Sequence, residues 1–147
     1  MIYFDSAYIA RCYLPERGHA EVTALAIRSS RIICAEIARV EVASVFHRKL
    51  REAALTSSIH RELCRQFTDD IVAGTWSFLP LTPALLSRAQ TAHATLPASF
   101  FLRSADCLHL CAAAEAGFKE IFSNVRHLLA AAAHFGLRGI DVIPPSP

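Results

Sequence analysis

Thirteen acidic side chains are spread over the 147 residues, and most sit in polar surroundings that surface solvation explains. Asp5, Glu41 and Asp106 do not. Asp5 follows Ile2, Tyr3 and Phe4 directly, three apolar β-formers that suit a buried strand. An aspartate there reads in two ways. It is an N-cap for the helix that follows, or it stands at the carboxyl end of a central strand, where open α/β sheets build their sites. Glu41 has Ile37 four residues before it and Val45 four residues after, so it lies within the apolar stripe of a long helix. A carboxylate in such a stripe needs a partner, and Arg48 two turns along is one candidate. Asp106 falls in the first turn of its helix behind Ser104, where the helix dipole favours an acid, yet Leu110 and Ala113 share its face. Three inward-facing carboxylates from distant segments are tolerated together if they share a divalent cation.

Other chemistries lack their residues. No glycine-rich GxGxxG turn, no GxxxxGK[ST] loop and no GxSxG elbow occurs. Cys107, His109 and Cys111 lie close together, but further zinc ligands at metal-like spacing are missing. The five cysteines include no CxxC pair and read as free, buried thiols. Fifteen basic residues against thirteen acids give a net charge of +2, too mild to argue nucleic-acid binding by itself. The basic residues are unevenly spread: Arg48, Lys49 and Arg51 crowd one segment, and Arg61 and Arg65 lie one turn apart on the next, a solvated face or a phosphate-binding rim. Apolar runs such as LLAAAAHF are far shorter than the ~18 residues of a membrane span, and the N-terminus has no basic-then-apolar leader pattern. The expected compartment is the cytoplasm.

These residues need a scaffold, and the hydrophobic pattern supplies one. With 53% hydrophobic residues and a mean hydropathy of +0.32, the chain supports a sizeable core. Strand-like runs at 2–4, 31–34, 75–81, 120–123 and 140–144 alternate with helical stretches. The helices are expected at 6–13, 19–28, 35–51, from Thr56 or Ser57 to Val72, 83–95, 105–116 and 126–135. Thr82 followed by Pro83, and Gly117 and Gly136 after helical runs, are start and stop signals. Alternation of this kind predicts one α/β domain over 1–147, a parallel sheet between helical layers.

Four stretches, MIYFDSAYIARCYLPE, EIARVEVASVFHRKL, LRSADCLHLCAAAEAG and IFSNVRHLLAAAAHFGL, together resemble the PIN domain, and among PIN domains the VapC toxins of toxin–antitoxin pairs. The resemblance implies a three-layer α/β/α sandwich around a five-stranded parallel sheet in the order 3-2-1-4-5. It implies a Mg²⁺- or Mn²⁺-dependent endoribonuclease, usually a homodimer, acting on RNA and restrained by a small VapB-like antitoxin. Carried over by motif, Asp5, Glu41 and Asp106 are the catalytic and metal-binding acids, and Ser6 is the hydroxyl residue that orients the first of them. The fourth acid of the family falls where this chain has Val125, which offers a hard cation no oxygen. Ser123 and Asn124 beside it offer neutral oxygens only. Arg103 and Arg126 flank the site segments and are candidate RNA contacts. Val125 fits drift in a weakened copy as well as a change that lets cells tolerate a toxic nuclease, so the alternative function is an inactive PIN fold that binds antitoxin or RNA. A third reading, an aspartyl-phosphate transferase, requires a second aspartate two residues after the first, where Ala7 stands.

Overall fold

The computed structural model describes residues 1–145. Strand β1 (Ile2–Tyr3) pairs in parallel with β2 (Ile32–Ala35), and β2 pairs in parallel with β3 (Trp76–Leu79). A second parallel ladder joins β4 (Glu120–Phe122) to β5 (Arg138–Ile140). The sheet expected from sequence as one continuous ladder is therefore divided. Its halves meet at a single parallel bridge, Phe4 to Phe122, extended by the Asp5 N–H donating to the Phe122 carbonyl at 3.1 Å. Across that seam the strands run 3-2-1-4-5. The ladder breaks because the chain turns into a helix immediately after Phe4, leaving β1 too short to pair further.

Alternation along the strands builds two cores, one on each face. Tyr3, Ile33 and Ile121 face one layer, formed by α5 (Pro83–Thr95), α6 (Ser104–Glu115) and α7 (Arg126–Ala131). Phe4, Ile32, Cys34 and Phe122 face the other, formed by α1 (Ser6–Arg11), α2 (His19–Arg28), α3 (Ala38–Arg51) and α4 (Ser57–Val72). This is the three-layer α/β/α arrangement. Thr56 and Thr82 cap α4 and α5, accepting from the N–H groups of Ile59 at 3.2 Å and Leu85 at 3.1 Å. Such caps are worth ~1 kcal/mol each.

Several boundaries differ from expectation. Helix α3 begins at Ala38 rather than 35, because the Glu36 N–H bonds the Leu79 carbonyl at 2.8 Å and prolongs the β2–β3 ladder. Ser104 is not a cap: α6 starts after Arg103 with no side-chain cap bond. The helix expected over 126–135 ends as a 3₁₀ turn, Ala132–Phe135, closed by Gly136 at φ +71°. Strand β5 comes earlier than the expected 140–144. After it, the Tyr8 hydroxyl donates to Asp141 at 2.7 Å and accepts from the Val142 N–H at 2.8 Å, holding the chain off the sheet. The expected irregular tail, 144–147, lies partly outside the described residues. No described helix is long and apolar enough to cross a membrane.

Candidate active site

Both readings of Asp5 are realised at once. Its Oδ1 accepts from the Tyr8 N–H at 3.0 Å, so it caps α1, and it stands at the β1/β4 seam with 2% of its surface exposed. Its Oδ2 takes the hydroxyl of Ser123, a fully buried residue just beyond β4 whose Oγ also accepts from the Val125 N–H at 2.9 Å. Burial pushes the Asp5 carboxyl up to about 6; His109, Ser123 and the Tyr8 N–H pull it back, and Glu41 pushes it further up.

Glu41 does not pair with Arg48, which lies 3.9 Å from Glu52 instead. Its Oε2 is 2.7 Å from Nε2 of His109, which reaches across from α6. His109 is 1% exposed, and its Nδ1 lies 3.1 Å from the Tyr3 hydroxyl. Burial opposes charge on this imidazole, but the surrounding Tyr3, Cys34 and Glu41 more than offset it and hold His109 well above the ordinary histidine value. His109 therefore sits within electrostatic reach of Asp5 while bonded to Glu41.

Asp106 lies one turn before His109 on α6 and is 8% exposed. Its Oδ2 is 2.7 Å from Nε2 of His127 on α7, whose ring meets the Phe101 ring edge-to-face at 5.0 Å. Ser6 opens α1 half-buried and forms no side-chain hydrogen bond among the described residues, so the hydroxyl that holds Asp5 is that of Ser123. Asn124 is half-buried without a side-chain bond among the described residues. Val125 precedes α7 and packs its side chain on the core, so the fourth position serves packing. Arg103 and Arg126 are exposed at the starts of α6 and α7.

The structure thus gathers Asp5, Glu41 and His109 at the seam, with the Asp106–His127 pair one helical turn away. Sequence reasoning missed both histidines as site members. The available signal was the Asp106–His109 spacing of three, which puts both on one helix face. The donor set suits a hard cation in type, since three carboxylates and the Ser123 hydroxyl are all oxygen ligands. Imidazoles occupy Glu41 and Asp106, and no three Asp, Glu, His or Cys side chains among the described residues form a ready cation cage.

The family model described as PIN domain matches residues 2–133. No curated protein sequence matches the chain. Among solved structures, the chain is similar to VapC20 of Mycobacterium tuberculosis, described as a sarcin-ricin loop cleaving toxin, with a TM-score of 0.72 over 89% of this chain and 95% of that one. Identity between the two is 11%, so the likeness is one of fold.

Proposed function

The chain belongs to the PIN domain family, and from that premise we propose that it is a VapC-like endoribonuclease toxin, dependent on Mg²⁺ or Mn²⁺ and weakened at its fourth acidic position. The observation that carries this reading is the convergence of Asp5, Glu41 and His109 at the β1/β4 seam, with Asp106 on the same helix face as His109. Strand order reverses at that seam, where doubly wound sheets bind ligands. A divalent cation, when bound, would activate water and stabilise charge on the attacked phosphate. Asp5, Glu41 and Asp106 are the residues to hold it. Ser123 orients Asp5 by donating to Oδ2, His109 fixes Glu41 from α6, and His127 fixes Asp106 from α7. Arg103 and Arg126 offer exposed cations to the RNA backbone.

The test is RNA cleavage by purified protein across a Mn²⁺ titration, with Val125→Asp beside it. Cleavage that rises with Mn²⁺, and rises further in the variant, supports the reading; no cleavage by either form overturns it. The second reading, an inactive PIN fold that binds antitoxin or RNA, is favoured by the apolar packing of Val125. It predicts binding without cleavage in both forms. A homodimer and a small antitoxin carrying Arg or Lys toward this acidic cleft belong to the same proposal. Co-expression with the neighbouring small gene product, followed by affinity purification at low salt, is expected to recover both chains. Recovery of this chain alone counts against the antitoxin.

A further inference from the structure

Two phenylalanines stand side by side in the loop before α6 and behave oppositely. Phe100 turns inward, edge-to-face on His134 at 4.2 Å, and packs on the core. Phe101 keeps 65% of its surface exposed. That exposure has no counterpart among the other aromatic side chains, since the remaining exposed large hydrophobics of the described residues are aliphatic. The position of Phe101 is not incidental. Its ring meets His127, and His127 bonds Asp106, so a solvent-facing aromatic lies one side chain from a candidate catalytic acid. The two exposed arginines at the starts of α6 and α7, Arg103 and Arg126, complete the surroundings, and neither guanidinium has a hydrogen bond or ion pair among the described residues.

We propose that Phe101 is a base-stacking platform that seats one unpaired nucleobase of a single-stranded RNA beside Asp106, with Arg103 and Arg126 on the flanking phosphates. The inference rests on the ribonuclease reading and adds a positioning residue to it. A nucleobase can cover an exposed aromatic ring with any sequence, because every base has a π-face. The exposed cations two residues from Phe101 and next to His127 meet the backbone charge that such a strand brings. Because duplex bases are already stacked on one another, the platform selects loops and single strands over helices. His127, held by Asp106, meets the Phe101 ring edge-to-face on its protein side.

Binding without metal separates this inference from catalysis. Fluorescence anisotropy with a short fluorescein-labelled single-stranded RNA, in EDTA, is measured for the wild-type protein, Phe101→Ala, Phe101→Leu and Phe101→Trp. Stacking on an aromatic side chain predicts about tenfold weaker binding for the alanine and leucine forms, near-wild-type binding for tryptophan, and an unchanged salt slope in all of them. Arg126→Ala and Arg103→Ala should instead lower the salt slope by about one each. A duplex of the same sequence should bind the wild type and the Phe101→Ala form equally. Equal affinity of wild type and Phe101→Ala for the single strand overturns the platform while leaving the ribonuclease reading intact. Unchanged RNA affinity with loss of a co-purifying small protein overturns it in favour of a protein interface. If the wild-type protein binds no single-stranded RNA in EDTA, the platform falls, and the Mn²⁺ cleavage titration decides the ribonuclease reading separately.

Discussion

Replacing Asp5 by asparagine should make the metal-free protein more stable, although it removes a proposed cation ligand. The buried carboxyl is pushed from an ordinary 3.8 up to about 6, so the folded chain holds this proton more tightly than the unfolded chain does. The stability tied to that proton is fully present below about pH 3.8 and is lost as pH rises through about 6. At ~1.4 kcal/mol per pH unit, ionising Asp5 in place costs about 3 kcal/mol at neutral pH. Asparagine carries no charge to desolvate and caps a helix as well as aspartate, so the Tyr8 N–H keeps its acceptor. Its amide faces Ser123, whose hydroxyl must turn to accept, and the attraction to His109 is lost, so the net gain is smaller, about 1–3 kcal/mol. For a chain of this length that is roughly 3–10 °C in Tm.

The assay is thermal unfolding in EDTA from pH 4 to pH 8. The Asp5→Asn form should melt close to the wild type at pH 4, pull ahead between pH 4 and 7, and keep a constant lead above that. Adding Mg²⁺ or Mn²⁺ should raise the wild-type midpoint and not the variant's, by ~2.7 kcal/mol of stability at a hundredfold excess over Kd. An asparagine form that melts at or below the wild type at pH 8 without metal refutes the reasoning. So does a difference that is flat with pH.

Val125→Asp places an acid at the N-cap of α7, which is worth ~1 kcal/mol as a cap, but beside the Ser123–Asp5 pair like charges repel. Its Tm should depend on Mn²⁺ more steeply than the wild type's, and equal dependence would mean the fourth position is dispensable. His109→Leu removes the imidazole partner of Glu41 and the contact with Tyr3. With the Glu41 side chain 26% exposed, the loss should be about 2–3 kcal/mol by chemical denaturation. Because His109 titrates above its unfolded value, the stability it contributes is complete below about pH 6.5 and lost as pH rises through the folded value. The leucine deficit should therefore shrink in alkali, and a deficit constant up to pH 10 argues that the imidazole is neutral. Ser123→Ala strips a donor from Asp5 and an acceptor from the Val125 N–H, and should lose about 1–3 kcal/mol. It should also move the Asp5 titration to higher pH, read from the same pH-dependent melts.

The sequence made some of this legible and hid the rest for physical reasons. Helices 19–28 and 83–95 are found at their expected limits because local signals mark them, Gly18 before one and Thr82–Pro83 before the other. The two cores follow from alternation in strands whose faces are both buried. The interrupted ladder was not legible, because where β1 stops pairing depends on the Asp5 cap competing with continued strand pairing. Glu41 and Asp106 stood out by their helical faces and Asp5 by its place after the first strand. Their partners were not: His109 meets Glu41 across 68 residues and His127 meets Asp106 across 21, and a histidine amid leucines, cysteines and alanines carries no sign of such a bond in its own neighbourhood. The family resemblance pointed to Ser6 as the orienting hydroxyl, whereas Ser123, which donates to Asp5, is adjacent to it only through the seam.

Each candidate acid has its own proton-bearing partner: Ser123 for Asp5, His109 for Glu41, His127 for Asp106. That division of labour explains how Asp5 and Glu41 approach one seam, with Asp106 a helical turn from it, in a chain that must fold before any ligand arrives. A buried carboxylate left alone is expensive, and two left to repel one another would be worse. With a donor on each, every carboxylate is compensated locally, and what is left uncompensated is concentrated at Asp5, the most deeply buried of the three. The same cost accounts for Val125. A fourth carboxylate would have to share Ser123, whose hydroxyl already serves Asp5 and whose oxygen already accepts from the backbone. Valine at that position asks for nothing and packs on the core, so the fold gains where the proposed chemistry loses.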